Sequence, residues 1–328
     1  MSVRRCVITV GELGEFGVVA RITGRLPQGA AVLLGPGDDA AMVGAPDGRV
    51  VVSTDLLIEG RHFRRHWSSG YDVGRKAAAQ NLADVAAMGA VPTSIVVGLG
   101  IPSSLPVDWL DALTDGFRDE CALVGAGVAG GDVTRCDLVV IGVTALGDLQ
   151  GRPPVTRAAA RPGHVVAVAG RLGYSAAGLS LLEAGRVNGQ DHAEGERVWG
   201  EAVARHRRPC PPYECGPEAA RLGASAMLDV SDGLLQDLGH IAVASGVRVE
   251  LDPRALPLAE PVAAAAKELG ADPLDWVLTG GEDHALAATF PPEVRLPASW
   301  QVVGHVVAGE GVGVTGRETG PGGWDHFR

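Results

Sequence analysis

The chain has 328 residues, 46% of them hydrophobic and 47 of them glycine, with a formal charge of -11 from 39 acidic and 28 basic side chains. That length favours two domains over one core, and the composition excludes a coiled coil or a disordered chain. The acidic balance excludes a polycation built for nucleic acid or an anionic membrane, and leaves an anionic small substrate open only if cations screen the acids.

In chain order, GELGEFGVVARITG reads as a short helix and RVVVSTDLLI as a strand. A helix is expected from about Asp72 to Met88, with Gly89 as its stop. Strand TSIVVGLGI follows, then helix DWLDALTDGFRDECALV, whose Leu110, Leu113, Phe117 and Cys121 recur at helical spacing. Strand DLVVIGVTAL closes this block, and the Gly-, Pro- and Arg-rich GDLQGRPPVTRAAARPGH marks a boundary between a domain over 1–150 and a second over 151–328. The second block reads as strand HVVAVAG, helix YSAAGLSLLEAG, a polar segment from Asn188 to Glu196, strand AMLDV, helix SDGLLQDLGHIAVASG and strand VRVELD. An alanine-rich helix near Ala263 and strands TGGEDHALAATF and QVVGHVVAG complete it.

Cys6, Cys121, Cys136, Cys210 and Cys215 are odd in number and scattered, as suits reduced thiols. The pair in CPPYEC lacks the further ligands of a zinc site. MSVRRCVITV has too short an apolar run for a signal peptide, and no stretch approaches the ~20 apolar residues of a membrane span. The expected location is the cytoplasm.

The acids form a pattern. Asp38 and Asp39 sit in GPGDDAAMV, Asp55 in VVSTDLL, Asp84 in NLADVAAMGA, Asp132 in GGDVTR, and Asp229 with Asp232 in LDVSDG. Singly, each reads as a turn or a cap; SDGLLQDL looks like an N-cap with Asp232 in the first turn. Together, beside Gly, Ser and Thr at expected junctions, they read as a set that demands counter-charge if it converges. Mg2+ answers that demand, because it pairs a few carboxylates with substrate phosphates.

Several phosphate chemistries drop out. No Gly-x4-Gly-Lys-Ser/Thr occurs in a chain whose only lysines are Lys76 and Lys267, and the protein-kinase motifs are absent. The Gly125, Gly127, Gly130 pattern has the spacing of a dinucleotide turn but the wrong context, a helix before it and a strand after.

GDDAA, VSTDLLIEGRHF, NLADVAAMGA, GGDVTR, LDVSDGLLQDLGH, TGGEDHAL and WDHF, in that order, resemble the thiamine-monophosphate kinase family. The resemblance implies ATP-dependent phosphorylation of thiamine monophosphate to thiamine diphosphate, on the two-domain α/β (α+β) fold of aminoimidazole ribonucleotide synthetase. It also implies a homodimer joined through the N-terminal sheet. Carried over residue by residue, the Mg2+ ligands are Asp39, Ser53, Thr54, Asp55, Asp84, Asp132, Asp229 and Asp232, for several ions. Gly131, Asp132, Arg157 and Ser231 meet ATP, and His62, Glu282 and Trp324 hold the thiamine phosphate.

No general base is expected, since the acceptor is an anionic phosphate oxygen. The chain departs from the family in two places: no Tyr precedes the Gly-Gly-Asp block, and His284 stands where Tyr is frequent, which alone reads as a structural histidine near a sheet edge. Arg61, Arg64, Arg65 and His66 read as a solvated loop, with a phosphate-attracting patch as the alternative. Rival readings are another ATP-dependent synthetase of the superfamily, against which the missing Cys-Lys pair near the start argues, or a non-catalytic nucleotide-binding homologue, against which the retained acids argue.

Overall fold

In a computed structural model, the structure describes residues 8–26, 28–36, 41–187, 197–318 and 323. Asp38, Asp39, Cys6, Trp324 and the polar segment from Asn188 to Glu196 lie outside them. The chain divides into two compact units, Met1–Asn81 with Pro92–Asp148, and Leu82–Val91 with Leu149–Arg328.

The first unit opens with α1 (Val10–Thr23), started by a reciprocal cap between Thr9 and Glu12. Strands β1 (Val32–Leu34) and β2 (Met42–Val43) make a small antiparallel ribbon. Strands β3 (Val51–Ile58), β4 (Val91–Ile101), β5 (Gly127–Arg135) and β6 (Val140–Asp148) form a sheet in the order β3-β6-β4-β5. β3 runs antiparallel to β6, while β4 and β5 are parallel because helix α3 (Val107–Val124) carries the chain back between them.

Helix α2 (Gly70–Ala87) lies close against α3. A Cβ on Gly74 would stand 2.1 Å from the Leu113 carbonyl oxygen, and one on Gly116 2.3 Å from that of Tyr71, so only glycine permits the approach. Arg75 of α2 closes the contact by an ion pair with the buried Glu120 of α3. The core holds Ala77, Ala78, Ile95, Leu110, Leu113, Phe117 and Ile141. On β3, by contrast, Val52 and Leu56 are 62% and 59% exposed.

The second unit is built on a six-stranded sheet in the order β12-β9-β11-β7-β10-β8. Its strands are β7 (Val165–Ala169), β8 (Ala226–Val230), β9 (Arg248–Leu251), β10 (Ala285–Phe290), β11 (Trp300–Val307) and β12 (Gly311–Val314). Helices α4 (Tyr174–Glu183), α5 (Gly200–Arg207), α6 (Cys215–Leu222), α7 (Leu234–Ser245), α8 (Glu260–Leu269) and α9 (Pro273–Thr279) accompany them. Side chains alternate along each strand, so both faces are apolar. Val166, Val168, Leu228, Val230 and Ala287 join one cluster with Leu238 and Ile241 of α7. Ala167, Ala169, Met227, Leu286 and Phe290 join another with Ala219 of α6 and Trp300.

Two segments depart from the sequence expectation. The glycine-rich GVAGGDVTR, which reads as a junction, is strand β5, paired to β4 with one register shift at Ala129, and Gly125 before it caps α3 at φ +70°. TGGEDHAL, which reads as the start of a strand, begins with the last residue of α9 and is a loop from Gly280 to His284, where Glu282 and His284 take left-handed backbone at φ +62° and +51°.

Candidate functional site

In the first unit, β3 carries Ser53, Thr54 and Asp55 in succession. The period of two sends Ser53 and Asp55 to one face and Thr54 to the other. The Thr54 hydroxyl donates to the Val143 carbonyl at 3.0 Å and accepts from Thr144 Oγ1 at 3.1 Å, beside exposed Val52 and Leu56. Thr54 therefore does not share a side-chain face with the other two expected ligands. The main chain of Asp55 is tied down instead: its N–H donates to Asn81 Oδ1 at 3.0 Å, and Asn81 Nδ2 donates to the Ala77 carbonyl of its own helix at 2.9 Å.

The loop after β3 presents His62. Nδ1 of His62 accepts the Ile58 N–H at 3.0 Å, so a neutral ring carries its proton on Nε2. Lys76, buried on α2, donates to the His62 carbonyl at 3.1 Å. Of the neighbouring arginines, Arg64 stacks over Trp67 at 4.4 Å from the ring centroid, and Arg65 pairs with Glu59 at 2.6 Å.

Gly130, Gly131 and Asp132 of β5 border a cavity of about 380 Å³, walled by Val19 and Ile22 of α1, Leu99 of β4 and Phe117 of α3. A Cβ on Gly131 would lie 2.0 Å from the Val97 carbonyl oxygen, which explains a glycine in mid-strand. Gly35, Pro36 and Ala41, on either side of the segment with Asp38 and Asp39, also line the cavity.

In the second unit, Asp229 is the penultimate residue of β8, and after Val230 the residues Ser231, Asp232 and Gly233 lead into α7. The expected Ser231 cap is absent: Gly233 is the N-cap residue of α7. Its place is taken by Asp237, one turn inside the helix, whose Oδ2 accepts the N–H groups of Ser231, Asp232 and Gly233 at 3.1, 3.0 and 3.1 Å. Burial pushes the Asp237 carboxyl up to about 7, and repulsion from Asp229 and Asp232 adds to the rise against the lowering effect of its N–H donors.

The loop Gly280–His284 is pinned to the same strand end. The Glu282 N–H donates to the Ser231 carbonyl at 2.7 Å and the His284 N–H to that of Val230 at 2.9 Å. Between them, the buried Asp283 accepts the N–H groups of Gly173 and Ser175 at 2.5 and 2.8 Å, at the start of α4. Burial pushes its carboxyl also up to about 7.

His206 of α5 lies 3.0 Å from Ser175 Oγ and 3.7 Å from Glu282 Oε2. His284 Nδ1 lies 3.1 Å from Asp229 Oδ2. Burial works to lower the His284 value, but the bond to Asp229 and the charges of Asp229, Asp84 and Glu282 hold it above the ordinary range. Asp84 and Asp229, expected ligands, and Glu282, expected at the acceptor, thus act on one imidazole.

Arg157 is exposed, and its carbonyl accepts from Ser245 Oγ at 3.0 Å. Gly323, next to Trp324, lies against Gln236 of α7; a Cβ there would be 2.1 Å from Gln236 Oε1. Among the described residues, no group of three or more His, Cys, Asp and Glu side chains is gathered closely enough to hold a metal ion. Sequence reasoning passed over Asn81, Asp237, Asp283 and His206. Asp237 alone left a signal, a second acid five residues after the first in SDGLLQD.

Residues 37–149 match the family model of the AIR synthase related protein N-terminal domain, and residues 161–317 that of its C-terminal domain. The thiamine-monophosphate kinase of Mycobacterium tuberculosis is 52% identical over 323 residues, which cover 97% of this chain and 93% of that protein. A crystal structure of thiamine-monophosphate kinase from Stenotrophomonas maltophilia superposes with a TM-score of 0.80 at 34% identity, covering 93% of this chain and 98% of the other. AaThiL complexed with AMPPCP and TMP superposes with a TM-score of 0.78 at 32% identity, covering 98% and 100%.

Proposed function

The chain belongs to the AIR synthase related family, among its thiamine-monophosphate kinases, and we propose that it moves the γ-phosphoryl group of ATP directly onto the phosphate of thiamine monophosphate. The observation that carries this reading is the 52% identity sustained over 97% of the chain, through both matched domains. The products are thiamine diphosphate and ADP.

The acceptor oxygen is already ionised at neutral pH, so no side chain has to remove a proton. The task is to bring two polyanions together and align them in line. A hard divalent cation suits the residues assigned to it, which offer oxygen donors only. Asp229 and Asp232 already raise the Asp237 carboxyl by repulsion, an excess of negative charge that such an ion would relieve. Bound Mg2+ would neutralise phosphate charge and polarise the transferred group.

The residues that would hold Mg2+ are Asp39, Ser53, Asp55, Asp84, Asp132, Asp229 and Asp232. Thr54 joins them on the resemblance alone, since its hydroxyl lies on the other face of β3. The apolar cavity beside Gly131 and Asp132 would take the nucleoside end of ATP; Arg157 and Ser231 are assigned to ATP on the resemblance alone. His62, whose Nδ1 is taken by the Ile58 N–H so that a neutral ring carries its proton on Nε2, would hold the acceptor phosphate, and Glu282 and Trp324 the cationic thiamine. On this reading residues 1–150 form a nucleotide-binding and dimerisation domain, and residues 151–328 complete the enzyme.

A second copy of the chain would cover the exposed Val52, Leu56 and Val96 of the first unit's sheet, giving a homodimer. Light scattering that finds a monomer at micromolar concentration would count against that. No helix among the described residues is long and apolar enough to cross a membrane. Cys121, Cys136, Cys210 and Cys215 are free thiols, which favours the cytoplasm.

The test of the activity is ADP release with ATP, Mg2+ and either thiamine monophosphate or free thiamine. Rapid release is expected with the monophosphate only. Equal rates with free thiamine would refute a phosphate acceptor.

A further inference from the structure

A histidine at φ +51° is unusual, because a side chain crowds the backbone there; His, Asn and Asp tolerate it better than most residues. At His284 the conformation is enforced from both sides. Its N–H is bonded to Val230 on β8, and Asp283 before it is locked onto the start of α4. The result is a ring 6% exposed, with Nδ1 turned to Asp229 Oδ2 at 3.1 Å.

Asp229 is itself 6% exposed, and among the described residues its other oxygen, Oδ1, takes no hydrogen bond. A carboxylate on a strand rotates about its terminal bond unless something holds one oxygen. The imidazole holds one and leaves the other to face a partner. Loop strain, by itself, would not require the ring to meet an acid.

We infer that His284 is a positioning residue that acts through Asp229, fixing its carboxylate so that Oδ1 is presented to a divalent cation. This rests on the reading of Asp229 as a cation ligand. Groups that orient a ligand in this way matter by about 10–100-fold in metal affinity. A purely structural histidine would affect melting and leave metal affinity alone.

The test is titration of Mn2+ into the full-length protein with AMPPCP present, free Mn2+ being read by electron paramagnetic resonance. Melting temperatures are recorded on the same samples. His284→Leu should weaken the Mn2+ affinity about 10–100-fold. His284→Gln, which keeps an N–H donor, should recover to within a few-fold of wild type. The Mg2+ concentration for half-maximal activity should rise in His284→Leu while KM for thiamine monophosphate holds.

If Leu does not fold at this backbone angle, His284→Asn replaces it, since Asn accepts left-handed backbone but is too short to reach Asp229. Asp229→Asn separates the two possible failures. Loss of Mn2+ in Asp229→Asn with unchanged binding in His284→Leu overturns the positioning role and leaves the ligand reading standing. Unchanged binding in Asp229→Asn overturns the ligand reading itself.

Discussion

The two units hold the side chains proposed as functional by different means. In the first, Ser53 and Asp55 ride on an unbroken ladder and Asp132 on β5 beyond its register shift at Ala129, where the period of two decides which way each points. In the second, Asp229, Ser231, Asp232 and Glu282 crowd the end of β8, where two buried carboxylates and two left-handed residues fix the loops. A strand places a side chain through hydrogen bonds made along its whole length. The second arrangement depends on single groups, each of which carries several N–H donors and accepts a raised pKa to do so. Strand positions should therefore tolerate neighbouring change, while the loops should fail at one residue.

The largest expected effect comes from removing an assigned ligand, whichever way it is held. Asp84→Asn should lower kcat by about 10²–10³-fold, the range for losing one preorganised electrostatic contact. Near-normal turnover would remove the cation reading for both units.

Asp283 sharpens the comparison. Its carboxyl, raised from 3.8 to about 7 by burial, binds a proton more tightly in the folded chain than in the unfolded one. A carboxylate shifted upward favours folding at low pH, and that contribution is lost as pH rises through about 7. Asp283→Asn removes this dependence and also loses one of the two N–H acceptors, a loss of about 1–3 kcal/mol. The wild type should therefore gain on the variant between pH 8 and pH 5, by roughly 2–3 kcal/mol in unfolding free energy without ligands. An equal difference at both pH values would show that the carboxyl titrates normally and that the loop is not held as described.

Trp324 tests the smallest step. Gly323 beside it lies against Gln236 of α7, one turn from Asp232 along the chain. An indole face is the best side-chain partner for a thiazolium cation, at roughly 0.5–2 kcal/mol. Trp324→Ala should raise KM for thiamine monophosphate by about tenfold while KM for ATP and the melting temperature stay put. A large fall in melting temperature with an unchanged acceptor KM would mark Trp324 as a structural plug.

How much of this could be read in the sequence follows from the same contrast. The alternation in VVSTDLLI and the helical spacing of Leu110, Leu113 and Phe117 are visible in residue types, and β3 and α3 form where they point. GVAGGDVTR misleads because glycine is disfavoured in strands; the Val97 carbonyl that requires Gly131 comes from a neighbouring strand and leaves no local mark. TGGEDHAL misleads for the opposite reason. Glu282 and His284 are not residues that announce positive φ, and the bonds that impose it reach β8 and α4. The motif blocks delivered the assigned acids and also contain Asn81, Asp237 and Asp283, but not the hydrogen bonds by which these three hold the main chain. Those belong to contacts between elements. Asp39 and Trp324 stand on the resemblance alone.

The central claim is direct transfer between two phosphates, and the fate of the γ-phosphorus of ATP tests it most closely. With γ-³²P-labelled ATP, Mg2+ and unlabelled thiamine monophosphate, label should appear in the terminal phosphate of thiamine diphosphate. None should remain on the protein after acid quench at any time during turnover. Label held on a side chain and chased into product, or label found anywhere but the terminal phosphate, would contradict it.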